Sequence, residues 1–150
     1  MSRIRIVVGP DDFDLSRECA ALIQHDIESG AVAAFVGRVR DFGPDSVMTL
    51  EHYPGMTEKA LAAIVDAASA RWPLSAVTVI HRVGPLAAGA QIVLVLTASR
   101  HRRAAYDANA YIMDYLKTEA PFWKLEETGA ARTWVEAKAK DNVERQRWDS

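Results

Sequence analysis

The chain has 150 residues, about half of them apolar and a quarter charged, with a formal net charge of −2. That length suits one domain with its own core, and the charge argues against a general nucleic-acid binder, which needs a basic face. No apolar run approaches the roughly 20 residues that cross a bilayer, and the opening MSRIRIVVGPDD lacks the apolar core and cleavage site of a signal peptide. A cytoplasmic protein is expected. Cys19 is the single cysteine, so no internal disulfide can form; on LSRECAALI it reads as a small buried side chain on a helix. His25, His52, His81 and His101 show neither HxxxH nor HExxH spacing, so neither a metal site nor a cofactor is expected.

In chain order, Arg3 to Val8 (RIRIVV) alternates polar and apolar as a half-buried strand does. Gly9 to Asp12 breaks it, and Leu15 to Ile27 reads as a short helix. Gly30 to Arg40 (GAVAAFVGRVR) predicts a second strand, apolar first and basic at its end. The turn-forming DFGPDS follows, then a strand from Val47 to Tyr53 closed by Pro54-Gly55. From Thr57 to Trp72, Leu61, Ile64, Val65, Ala68 and Trp72 recur at helical steps, with Thr57 as the expected N-cap and Pro73 as the stop.

Two strands come next, Ala76 to Val83 and Gln91 to Ala98, joined by GPLAAGA. The run IVLVL predicts burial on both faces, hence a central position. A long helix spans about Arg102 to Glu119, ending before Pro121, with Tyr106, Ala110, Met113 and Leu116 or Lys117 as its inward stripe. Strand-like pieces at Phe122–Leu125 and Thr133–Ala137 precede a polar tail from about residue 138. The expected architecture is a single α+β domain over residues 1–150 with one mixed sheet.

Chemistry-bearing cations fall at element ends, where sites tend to lie. Arg38 and Arg40 sit two apart on a strand and share a face, either as a charged strand edge or as an anion site. His101 and Arg102 open the long helix, where exposed amides and the helix dipole favour an anion; surface decoration fits equally. Lys117 and Lys124 flank the corner Ala-Pro-Phe-Trp. They read either as solvated lysines or as a pair whose nearness, beside Phe122 and Trp123, lowers a pKa enough for acid–base or nucleophilic work.

One constraint follows from geometry alone. His101 and Lys117 lie sixteen residues apart on one helix, hence about 24 Å apart and on nearly opposite faces. They cannot line one small pocket within a single chain; a two-fold dimer could supply both to each of two pockets.

The segments AAFVGRVRD, LEHYPGMTEKAL, VIHRVGPL, SRHRRAAYDA and YIMDYLKTEAPFWKLE together resemble the large, catalytic subunits of molybdopterin synthase, from about Gly30 to Trp148. That resemblance implies an α/β hammerhead fold and a homodimer within a heterotetramer. It implies a small ubiquitin-like partner whose thiocarboxylated Gly-Gly tail enters the large subunit's pocket. The implied reaction delivers sulfur from that tail to cyclic pyranopterin monophosphate (precursor Z), making the dithiolene of molybdopterin for the molybdenum cofactor.

Position by position, Lys117 and Lys124 match the family's two essential lysines. Arg38, Val39, Arg40, His101, Arg102, Leu125 and Glu126 match substrate-binding positions, with His101 and Arg102 reaching the neighbouring protomer's pocket. Phe35 and Met113 are the implied pocket walls. The chain departs from the pattern in its shorter DFGPDS loop, in Arg100 before His101, and in Leu125 where a basic residue is common; Leu125 is therefore expected to act through its backbone. The alternative from another class is a non-catalytic module that binds a ubiquitin-like tail or a phosphorylated ligand.

Overall fold

The computed structural model describes residues 3–129, 131–135 and 144–148. Its elements run β1 (Arg3–Gly9), α1 (Leu15–Leu22), β2 (Ala31–Arg38), β3 (Val47–His52), α2 (Met56–Arg71), β4 (Leu74–Arg82), β5 (Gly84–Ala87), β6 (Gln91–Ser99), α3 (Arg102–Glu119), β7 (Phe122–Glu127) and β8 (Arg132–Val135). The strands form two four-stranded sheets where one was expected. The first has the order β1-β4-β6-β2, and the second β5-β3-β7-β8. Among the described residues only the β1–β4 pair is parallel, so the first sheet is mixed and the second antiparallel.

β4 and β6 are central, as the IVLVL run predicts. Their alternation divides two cores. Val77, Val79, Val93 and Val95 point to a cluster with Leu61, Val65, Ala68, Ile112 and Leu116 of α2 and α3. Ala76, Ile80, Leu94, Leu96 and Ala98 point the other way, onto Leu22 of α1. A third cluster, Val39, Met48, Leu50 and Leu86, joins the end of β2 to the second sheet. A strand buried on both faces is mostly apolar along its length, and that is why these two runs do not show a regular polar alternation.

Several boundaries differ from the sequence reading for local reasons. α1 stops at Leu22 because His25 takes a positive φ of 63° and Asp26 turns the chain, accepting from the amides of Glu28 and Ser29 and from the Ser29 hydroxyl. GPLAAGA contains a strand: Gly84–Ala87 pairs with β3, a contact that propensity cannot signal in a Gly-Pro stretch at a sheet edge. The N-cap of α2 is Gly55, whose amide donates to Glu58 Oε1. Thr57 lies inside the helix, fully buried.

The inward stripe of α3 is met in part: Met113 and Leu116 are buried as expected and are joined by Ala105, Ala108 and Ile112, whereas Tyr106 is 63% exposed. Asn109 ties this helix to the first sheet, its amide donating to the carbonyls of Ala33 and Val95. Of the polar tail, residues 136–143 and 149–150 lie outside the described residues, as do the last two positions of the expected strand Thr133–Ala137. Residues 144–148 pack onto the domain. The Trp148 ring meets Trp72 and Tyr111 edge-on, and its indole donates to Asp114 Oδ2 at 2.6 Å. Arg71 lies about 5 Å above the Trp72 and Tyr111 rings in the same group.

Trp148→Ala removes a half-buried ring and one partner of Asp114. It is expected to destabilise the domain by about 2 kcal/mol, less than the roughly 3–5 kcal/mol for a fully buried Trp because the ring is only half-buried. Urea unfolding should show a lower midpoint with an unchanged slope.

Candidate active site

A groove of about 320 Å³ runs between β2 and α3, lined by Phe35, Tyr106, Asn109, Ala110, Met113 and Asp114 together with Ala33 and Ala34. The two expected pocket walls are thus brought together: Met113 is 7% exposed and Phe35 38%. Tyr106, Ala110 and Met113 recur at four- and three-residue steps, and the next residue on that face is Lys117. The groove therefore leads along α3 towards the first lysine.

The second lysine returns by way of the corner. Ala120 is extended (φ −79°, ψ 133°), as a residue before proline must be, and ends α3. The Thr57 hydroxyl donates to the Pro121 carbonyl at 3.0 Å and accepts from the Tyr53 amide at 3.0 Å. One buried side chain of α2 thereby fixes both the corner and the end of β3. β7 then pairs along β3, placing Lys124 opposite Leu50 and Glu126 opposite Met48. Directly paired residues share a sheet face, so Phe122, Lys124 and Glu126 project on the side of buried Met48 and Leu50.

The flanking aromatics do not enclose the lysines as the sequence reading expected. Trp123 points to the opposite face and meets Tyr53 edge-on at 5.0 Å. Phe122 stacks on His81 with centroids 3.8 Å apart and planes at 19°. Lys117 and Lys124 are both exposed in the single chain, so water exclusion must come from whatever covers them. Leu125 is buried on the other face of β7, and its main chain lies in the ladder opposite Thr49 and Trp134.

At the end of β2, Arg38, Val39 and Arg40 keep the alternation out-in-out. Val39 is 2% exposed and is locked to the turn at 89–90, its amide donating to the Ala90 carbonyl and its carbonyl accepting from the Gly89 amide. Arg38 donates through Nε and Nη2 to the Gly89 carbonyl at 3.2 and 3.1 Å, which holds its guanidinium against that turn. The DFGPDS loop beside them is tied internally. Asp41 accepts from the Gly43 amide and the Ser46 hydroxyl, which hold its pKa below the usual carboxylate value. The Gly129 amide reaches across to the Pro44 carbonyl.

His101 is the N-cap of α3, and Arg102 and Arg103 fill an exposed first turn that carries no acidic residue. Gly30 shapes this corner: a Cβ there would lie 2.5 Å from the Arg100 carbonyl oxygen. α3 runs unbroken from Arg102 to Glu119, so His101 and Lys117 stay about 24 Å apart. The chain by itself assembles Phe35, Met113 and the lysine corner, and leaves the His-Arg pair at the far end.

Sequence reasoning missed Thr57 and His81 as supports of the site. Thr57 was legible only as a cap. His81 is 5% exposed, and its Nδ1 lies 2.9 Å from the Arg82 carbonyl oxygen. A carbonyl can only accept, so Nδ1 carries a proton. Burial lowers the His81 pKa to about 4, opposed by the Arg82 hydrogen bond and reinforced by the charges of Lys124 and His52.

The chain is similar to one family of known proteins along most of its length. The family model described as MoaE protein matches residues 8–119. The molybdopterin synthase catalytic subunit of Escherichia coli K12 is 54% identical over 99% of this chain and 100% of its own length. That of Ralstonia nicotianae is 56% identical over 95% of this chain and 83% of its own. Among solved structures, a molybdopterin biosynthesis MoaE protein from Burkholderia ambifaria superposes with a TM-score of 0.84 at 49% identity, covering 100% of this chain and 99% of that one. Fold and site together define an enzyme of molybdenum cofactor biosynthesis, a sulfurtransferase built on the α/β hammerhead. The chain belongs to the MoaE family, which bears out the resemblance read from its motifs.

The His81 burial has a consequence for stability. Unfolded histidine titrates near 6.5, so between about 4 and 6.5 the unfolded chain binds a proton that the folded chain refuses. Stability then rises with pH across that window and is lost as pH falls through it. Thermal midpoints measured from pH 7 to pH 4 should decline, and His81→Phe should flatten the part of the decline that this proton causes.

Proposed function

We propose that Lys117 and Lys124 form the reaction centre for sulfur transfer to precursor Z. The sulfur arrives as the thiocarboxylate at the Gly-Gly tail of a small ubiquitin-like subunit. The observation that carries this reading is the Thr57-pinned Pro121 corner, which turns β7 back from the end of α3 just beyond the Phe35–Met113 groove. Lys117, next on the groove face, acts at the thiocarboxylate carbonyl as acid, base or transient covalent partner. Lys124 holds the tail's carboxyl end and stabilises charge that develops as sulfur leaves. Glu126, on the same strand face, orients Lys124.

In the same reading the substrate phosphate is held by cations. Arg40 and Arg38 lie at one side of the site, with Val39 setting their common outward direction. His101 and Arg102 come from a second copy of the chain, because one helix cannot present both of its ends to one pocket. Leu125 contributes main-chain contact. The assembly is a homodimer of this chain carrying two small subunits. A structure from Staphylococcus aureus described as molybdopterin synthase, 31% identical with a TM-score of 0.79, supports the match to that enzyme. A cytoplasmic location belongs to the same proposal and is supported by the biosynthetic class of the relatives.

Exposure of both lysines fits the role assigned to the partner. The small subunit's tail, laid over Lys117 and Lys124, would displace the water that the single chain leaves in place, and charge interactions strengthen as water is excluded.

Lys117→Ala should abolish molybdopterin formation from precursor Z and thiocarboxylated small subunit while leaving small-subunit affinity within about tenfold, roughly 1.4 kcal/mol. Full product formation by this variant would favour the non-catalytic binding module instead. A second expectation concerns the shared pocket. Lys117→Ala and His101→Ala chains, each inactive alone, should regain part of the activity when exchanged into mixed dimers. Absence of rescue in verified heterodimers would assign each pocket to one chain.

A further inference from the structure

His81 lies outside the lining of the groove, yet its buried ring packs against the first residue of the lysine-bearing strand, on the face that carries Lys124. Its ring stacks face to face on Phe122 at 3.8 Å. Its Nδ1 is tethered to the Arg82 carbonyl at the end of β4, so the ring plane is set by the first sheet. Phe122 is the first residue of β7, and Lys124 stands two positions along the same face. On the second sheet, His52 of β3 is the direct ladder partner of Phe122. The charged groups acting on His81 are Lys124 from β7 and His52 from β3, both cationic when protonated.

We propose that His81 is a positioning residue for Lys124: an uncharged aromatic platform, fixed to the first sheet, on which Phe122 and hence the lysine face of β7 is seated. Two properties of the ring matter here. Its flat face fixes where β7 starts, and loss of the platform lets Phe122 move and carries Lys124 with it through one strand repeat. Its neutrality matters because a charged side chain at this place would set a second cation beside Lys124. An aliphatic side chain of similar volume would supply burial without the stacking geometry. This inference rests on the reading of Lys124 as part of the sulfur-transfer centre.

The test compares two substitutions that divide the properties of the ring. His81→Phe keeps the stacking surface and loses the bond to Arg82; His81→Gln keeps a hydrogen-bonding amide and loses the ring. Each is assayed for molybdopterin formation with precursor Z and thiocarboxylated small subunit. In parallel, Lys124 acylation by acetyl N-hydroxysuccinimide ester is followed by peptide mass spectrometry, with exposed Lys59 of α2 as the internal standard. The Phe variant is expected to keep kcat within about threefold and the wild-type Lys124:Lys59 labelling ratio. The Gln variant is expected to lose tenfold or more in kcat with the KM for precursor Z unchanged, and to shift the labelling ratio at least threefold. Should the Gln variant not fold, Phe122→Leu, which removes the partner ring, takes its place with the same expectations.

Equal behaviour of the two variants, the reverse order, or an unchanged labelling ratio in the variant lacking the stack would overturn the proposal. Lys124→Ala assayed alongside separates the two claims. If that variant retains full activity, the role of Lys124 in sulfur transfer fails, and the labelling ratio alone still decides whether His81 positions it.

Discussion

Proline at position 121 is the constraint on which the site depends. The residue before a proline is driven out of the helical region, so α3 ends at Glu119 with Ala120 already extended. The chain must then reverse, and the direction it takes is set by a buried threonine hydroxyl from another helix and an aromatic stack from another sheet. Had α3 run one turn further, the second lysine would have continued along its axis, away from β3. The proline forbids helix, while Thr57 and His81 choose among the extended paths that remain.

The same helix sets the quaternary requirement. A straight α3 separates its N-terminal cations from its C-terminal lysine by more than the width of any small-molecule pocket. Buried Asn109 and the Ala105–Ala108–Ile112–Leu116 stripe hold it against the first sheet as a rigid body. A site needing both ends must draw them from two molecules. That separation is a property of helix rise and does not depend on which residues stand at the ends.

Exposure of the two lysines is informative about the order of events. Within one chain, nothing described covers them, while Phe122 and Trp123 turn to opposite faces of β7 and pack on His81 and Tyr53. The single chain supplies geometry without a dry environment. In the proposed reading, chemistry that depends on weakened solvation waits for the partner tail, which would couple reaction to assembly.

Much of this was legible before any coordinates. Helical spacing placed Leu61, Ile64, Val65 and Ala68 on the buried face of α2, and the unbroken apolar run of β6 announced a strand covered on both sides. The α3 boundaries followed from Arg102 and Pro121. The groove walls Phe35 and Met113 came through family resemblance and were found together. Other features were not legible. The Gly-Pro strand β5 exists because β3 offers it a partner, and the division into two sheets is a matter of which edges meet. The core face of α3 kept Met113 and Leu116 of the expected stripe but replaced Tyr106 with small Ala105 and Ala108, which admit the sheet closely and leave Tyr106 lining the groove.

By itself, then, the sequence determined the periodicities, the proline stop, the cations at element ends and their impossible span on one helix, since these rest on covalent geometry and local sterics. Only the tertiary structure decided that Thr57 is a clamp instead of a cap, that His81 is a buried neutral platform, and that Val39 sits inward between two outward arginines. Those roles depend on what lies opposite each side chain across a fold, and contacts between residues tens of positions apart leave no periodic trace in the chain.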